Sequence, residues 1–141
     1  MRVLLSIKPE FAARIFQGEK RFEFRKSAFK DDRVKIVVVY VTSPVCKIVG
    51  EFDVVEILSD EPSRLWSRTK EYAGISEAFF WDYFSGRTRA VALAIGDVRE
   101  YSRPINPSKL IANFTAPQSY MYLDDQLQPA RRVSEQYSLA I

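Results

Sequence analysis

The sequence predicts a small α+β domain, a mostly antiparallel β-barrel with short helices at its edges. Three observations lead there. The apolar-periodic segments follow the order β-α-β-β-β-α-α-β, without the repeated helical crossovers that a parallel sheet demands. The strand-like segments are rich in β-branched residues, above all residues 34–42. With 141 residues, 47% of them hydrophobic, the chain can bury one core but not two.

Residues 2–7 are a short apolar run with Val3 and Ile7 near its ends, the pattern of a buried strand. Pro9 suits the first turn of a helix and Glu10 complements its positive end. Phe11, Ala12, Ile15 and Phe16 then fall on one helical face before Gly18 closes it. Residues 20–26 alternate, so Phe22 and Phe24 face one side and Arg21, Glu23 and Arg25 the other. Residues 34–42 are apolar almost throughout, which marks a strand covered on both faces, and Ser43-Pro44 interrupts it. Strand character resumes over 45–58, where Gly50 signals a bulge or a barrel corner. Residues 62–72 and 76–84 read as two helices separated by Gly74, with Ser76 as N-cap and Gly86 closing the second. Residues 88–100 return to strand.

The stretch 102–123 contains Pro104, Pro107 and Pro117 and reads as extended or turn, with one helical turn near 108–111 and a strand at 120–123. A domain over 1–123 and a polar tail over 124–141 follow. In the tail Ala130, Val133, Tyr137 and Ile141 keep a helical spacing after Pro129, as a late helix or a frayed terminus would.

Composition removes several function classes. There is no histidine, so imidazole acid–base chemistry is excluded, and Cys46 is the single cysteine, so no internal disulfide can form. A zinc site would need carboxylates and one thiolate, a rare donor set, so no metal and no cofactor are expected. No segment approaches the roughly 20 apolar residues of a membrane helix. A cytoplasmic protein that makes no membrane contact is the expectation. Residues 1–50 hold eleven Lys and Arg against five Asp and Glu, although the net charge is only +3. A cationic region of this kind attracts polyanions.

That charge is densest over residues 20–26, where five charged side chains surround two phenylalanines directly after the first helix. Glu23 and Arg25 are neighbours on one strand face, and an Arg held by a carboxylate presents a fixed fork of donors. Such a fork suits a phosphate or a base edge, and Glu23 can also accept from an exocyclic amine as carboxylates do with cytosine. The pair is equally consistent with a plain surface ion pair worth about 0.2–1 kcal/mol. Phe79, Phe80, Tyr83 and Phe84 form one helical stripe and read as core, while Trp81 points off it. With Trp66 and Tyr72, Trp81 either stacks a base or covers the barrel.

Several fragments together resemble one family. They are Leu4-Leu-Ser-Ile-Lys-Pro9, Gly18-x-Lys20-x-x-Glu23-x-Arg25, Tyr40-x-x-Ser43-Pro44, Gly50-Glu-Phe and Ala116-Pro-Gln-Ser-Tyr120. In this order they resemble the ASCH domain of the PUA-like superfamily, over roughly residues 1–123. The resemblance implies a compact PUA-type barrel whose relatives bind RNA or cradle modified bases. It places Gln118 and Ser119 beside a ligand cleft built on Lys20, Glu23 and Arg25; Ser6 and Lys8, closing the first strand, fall near its mouth, and Ser43, at the end of the long strand, either supplies a hydroxyl there or forms the turn. Some relatives are amidohydrolases on acetylated cytidine, in which a lysine activates a threonine three residues on. Here that position is Glu23, so the nucleophile is missing from its place. Lys20, Glu23 and, on the helical insertion, Glu71 are the catalytic candidates if the chain is an enzyme. A carboxylate beside Lys20 favours its charged form, which works against a role as base.

The expected function is therefore a nucleic-acid-binding module holding RNA or a modified nucleotide in a cationic cleft. The alternatives are an amidohydrolase on an acylated nucleoside and a regulatory protein-interaction module acting through the tail. The sequence leaves oligomeric state open.

Overall fold

The structure, a computed structural model, describes residues 1–124; the expected tail helix lies outside them. Six strands form a single sheet in the order β2-β5-β4-β3-β1-β6. They are β1 (Arg2–Ile7), β2 (Phe22–Arg25), β3 (Ile36–Val41), β4 (Lys47–Asp60), β5 (Ala90–Ile105) and β6 (Met121–Leu123). Helix α1 (Pro9–Phe16) follows β1, α2 (Pro62–Thr69) and α3 (Glu77–Tyr83) lie between β4 and β5, and the short α4 (Pro107–Leu110) precedes β6.

Two features depart from the expected antiparallel barrel. First, the sheet is mixed: β1 and β3 run parallel, Val3 opposite Val37 and Ile7 opposite Val41, while the other pairs are antiparallel. One crossover through α1 and β2 supplies the parallel pair, which the absence of a repeated crossover in the sequence did not forbid. Second, the sheet stays open. No ladder joins β2 to β6 among the described residues. These edge strands have four and three residues, and side chains bridge the gap instead: Arg25 Nη2 donates to the Ser119 carbonyl at 2.8 Å, just ahead of β6.

Both faces of the central strands are covered, which explains the unbroken apolar run of β3. Val37, Val39 and Val41 pack with Val3, Leu5, Ile7, Ala12 and Ile15 beneath α1. Val38 and Tyr40 face the other way, against Leu4, Ile48, Ile111, Met121 and Leu123. A third cluster joins β2 to the helical insertion through Phe24, Leu58, Leu65, Phe80, Phe84 and Ala92. Strand β5 continues through Pro104 to Ile105, further than expected. Past Ala94 its outer side carries no ladder among the described residues, so a residue without N–H is tolerated there. Helix α2 ends at Thr69 and a 3₁₀ turn over Lys70–Tyr72 completes the segment expected to be helical.

The register slips at Gly50 on both sides, between Val39 and Tyr40 in β3 and between Ile48 and Gly50 in β4. A Cβ at Gly50 would lie 2.5 Å from the Arg99 carbonyl oxygen and 2.7 Å from the Phe16 ring. The ring can shift; a backbone carbonyl inside a sheet cannot. Gly50→Ala is therefore expected to cost about 1–3 kcal/mol, read as a lower urea midpoint at unchanged m-value. Gly86→Ala, where a Cβ meets nothing within 4 Å but the backbone has φ +76°, should cost about 1–2 kcal/mol at most. A Gly50→Ala protein as stable as wild type would contradict this account.

Candidate functional site

A cleft of about 360 Å³ opens where the sheet fails to close. Its walls come from distant parts of the chain: the end of β1, α1, the turn after α1, β2, α3 with the linker before it, and the segment ahead of β6. Of the residues predicted from sequence, Ser6, Lys8, Lys20, Glu23, Arg25 and Gln118 line it.

At its base sits Lys20, a lysine with 1% of its surface exposed. Its Nζ donates to the Ala73 carbonyl at 2.8 Å, lies 4.0 Å from Glu23 Oε1, and is 4.9 Å and 5.3 Å from the ring centres of Phe24 and Phe11. Burial lowers its pKa from 10.5 to about 8; the Glu23 carboxylate raises it and the Arg14 guanidinium lowers it further. The carboxylate alone, the neighbour visible in the sequence, favours the charged amine. Desolvation outweighs it, because the amine has almost no water around it and its acidic neighbour is at the outer limit of an ion pair.

Glu23 continues the chain of charge outward, with Oε2 3.6 Å from Arg25 Nη1. Arg25 in turn is anchored to the Ser119 carbonyl, so its guanidinium is held from both sides. The Ser6 hydroxyl donates to the Pro117 carbonyl at 2.9 Å, which ties the loop carrying Gln118 to the end of β1. Lys8 is exposed at the rim, its Nζ 5.4 Å from the Phe79 ring centre.

Other predicted residues are placed elsewhere. Ser43 lies exposed in the turn between β3 and β4, and Glu71 in the 3₁₀ turn; neither lines the cleft. The helical insertion thus does not bring its acidic candidate to Lys20. Ser119 lines a smaller adjoining recess. Trp81 donates from Nε1 to Glu77, Trp66 packs on Phe80, and Arg21 lies over Tyr72, so none of these three rings faces the cleft.

The apolar walls were missed. Phe11, Ile75, Phe79 and Tyr83 line the cleft, whereas the helical spacing predicts the stripe as core. Only Phe80 and Phe84 of that stripe are buried; Phe79 and Tyr83, one turn apart, present near-parallel rings at 12°. At about 100° per residue, positions 79, 80, 83 and 84 spread over roughly 140° of the helix circumference, wider than a single core-facing stripe, and that width is the signal in the sequence. Gly74 was read only as a separator. It adopts φ +68°, its carbonyl accepts from Arg14 Nη1 at 2.7 Å, and a Cβ there would lie 2.3 Å from Lys20 Cβ. Nothing but glycine fits beside the buried lysine.

Among the described residues no group of three or more Cys, Asp or Glu is placed to hold a metal ion, and no helix is long and apolar enough to cross a membrane. The arrangement is a half-apolar cleft with two flat rings on one wall and an alternating cation–anion–cation row along its base.

Comparison with known proteins bears on the family and the fold. The ASCH domain model matches residues 5–115. A protein of Zymomonas mobilis named ASCH domain-containing ribonuclease is 35% identical over 123 residues, covering 85% of this chain and 82% of that protein. A crystal structure of ASCH from Zymomonas mobilis superposes with a TM-score of 0.82 at 32% identity over 89% of each chain. The large ribosomal subunit protein uL22 of Ureaplasma parvum matches 86% of this chain at 32% identity, but only 39% of its own length is involved. By its family match, its relatives and its fold, the chain belongs to the ASCH domain family.

Proposed function

We propose that the domain over residues 1–123 recognises RNA, taking one nucleotide into the cleft between β2, α1 and α3. The observation that carries this reading is the pairing of a flat aromatic wall, Phe79 and Tyr83, with the row Lys20-Glu23-Arg25 inside one cavity. Stacking on rings holds a base regardless of its identity and contributes about 1–3 kcal/mol per base. Edge recognition then needs directional groups: the Glu23 carboxylate can accept from an exocyclic amine, and the Gln118 amide can both donate and accept. The volume of about 360 Å³ falls within the range of small-ligand sites and matches one nucleotide better than a duplex. The ribonuclease name of the Zymomonas mobilis relative supports RNA as the polymer.

A second reading, hydrolysis in the same cleft, is favoured by one observation: the Lys20 amine, with a pKa of about 8, is partly neutral near physiological pH. Only the neutral amine can take a proton, so activity that uses Lys20 as base rises with pH through about 8. The amidohydrolase form of this reading lacks a hydroxyl at position 23 and a nearby Glu71. A Lys20 base would have to act on water or on a hydroxyl of the substrate itself.

Two measurements test these readings. In fluorescence anisotropy with a labelled six-nucleotide single-stranded RNA of mixed sequence, Phe79→Ala and Glu23→Gln should each weaken binding about tenfold. Trp81→Ala and Ser43→Ala, outside the cleft, should leave it unchanged. Equal affinity for all four variants would remove the cleft as the binding site, and gel analysis of the same mixtures reports cleavage directly. Secondly, a titration of lysine ε-carbons by NMR should find one amine titrating near pH 8. In Glu23→Gln that value falls, because the group that raised it is gone. A Lys20 resonance titrating with the bulk lysines would refute the burial argument.

A further inference from the structure

Beside the cleft lies a second, smaller recess of about 180 Å³, lined by Arg25, Lys26, Ser27, Tyr83, Gln118 and Ser119. The two cavities share Arg25, Tyr83 and Gln118, so they are compartments of one groove divided by the Tyr83 ring. Their chemistry differs. The inner one is walled by rings and aliphatic side chains, whereas the outer one has two cations, two hydroxyls and an amide around a single ring.

Of the outer cations, Arg25 is anchored through its side chain and Lys26 through its backbone. Arg25 is bonded to the Ser119 carbonyl at 2.8 Å. The backbone of Lys26 is tied down by Arg87, whose Nη2 donates to the Lys26 carbonyl at 2.9 Å. That leaves the Lys26 ammonium 5.0 Å from the Tyr83 ring centre, on the partition between the compartments. Arg87 brings a third positive charge to the same corner. The one carboxylate in the row, Glu23, lines the inner cavity and not the recess.

We infer that the recess is a phosphate subsite, so the groove takes a phosphorylated nucleotide or an RNA strand in preference to a free nucleoside. The geometry is that of one nucleotide unit: a base against Phe79 and Tyr83, and the adjoining phosphate between Arg25 and Lys26 with Ser27 and Ser119 hydroxyls at hand. Arg25 supplies a planar fork and Lys26 a point charge, the two usual modes of phosphate binding. This inference rests on the reading of the inner cleft as a base site and narrows its substrate class.

The test compares ligands that differ only in phosphate. Calorimetric titration with the four ribonucleosides, their 5′- and 3′-monophosphates and a mixed-sequence hexaribonucleotide should show at least one monophosphate bound about tenfold tighter than its nucleoside. Lys26→Gln should bring that ratio close to one, and Lys26→Arg should retain it. With the hexanucleotide, Lys26→Gln should also reduce the slope of log affinity against log salt by roughly 0.7, the loss of one phosphate contact. Circular dichroism of each variant checks folding; Lys26 is exposed, so no loss of structure is expected.

A ratio of one in the wild type, or a ratio and salt slope unchanged in Lys26→Gln combined with Arg87→Gln, would overturn the subsite while nucleoside binding left the base site standing. Competition by inorganic phosphate as strong as by a monophosphate would overturn the coupling of the two compartments. No binding by any probe would overturn both readings together.

Discussion

A lysine ammonium taken out of water is the constraint on which the site depends. Removing such an ion from solvent costs several kcal/mol even after relaxation. The offsetting contacts come from separate elements: the Ala73 carbonyl from the linker before α3, the Glu23 carboxylate and Phe24 ring from β2, and the Phe11 ring from α1. A charge-assisted hydrogen bond contributes about 1.5–3 kcal/mol and a desolvated cation–π contact up to about 2. No one element could hold Lys20 alone. The buried charge therefore specifies how α1, β2 and the helical insertion meet, and Gly74 lets the linker backbone come close enough to do so.

The same arrangement explains why the sheet does not close. β2 and β6, the two edge strands, have four and three residues, and no ladder joins them among the described residues. Arg25 spans the opening to Ser119, and Ser6 secures the Pro117 carbonyl from the far side. A closed barrel of this size would fill its interior with side chains. Leaving the seam open exchanges one ladder for a cavity walled by rings and floored by charge.

The helical insertion contributes shape more than charge. Ser76 caps α3 by accepting from the Phe79 N–H at 3.0 Å, and Phe80 and Phe84 anchor the helix in the cluster with Phe24. With those two rings buried, the helical repeat turns Phe79 and Tyr83 toward the cleft. Lys8 and Lys26 lie over the Phe79 and Tyr83 rings, 5.4 and 5.0 Å from their centres, so each ring carries a cation beside it.

Local elements, and the adjacency of charges within residues 20–26, are legible along the chain. Alternation placed Glu23 and Arg25 side by side, Pro9 and Gly18 bounded α1, Gly50 announced the slip in register, and the unbroken apolar run at 34–42 announced a strand covered twice. These are properties of neighbours along the chain, where periodicity and steric rules act directly. Tertiary structure decided what depends on distant partners. The parallel pairing of β1 with β3, the open seam, the separation of Glu71 and Ser43 from the cleft, and the division of the aromatic stripe between core and cavity all follow from how segments dock. The charge balance of Lys20 belongs here too: its carboxylate neighbour is three residues away and legible, but the water it loses is displaced by Phe11, Phe24 and Ala73, which only the folded chain assembles. Desolvation is a property of the whole surrounding volume, and no stretch of sequence contains it.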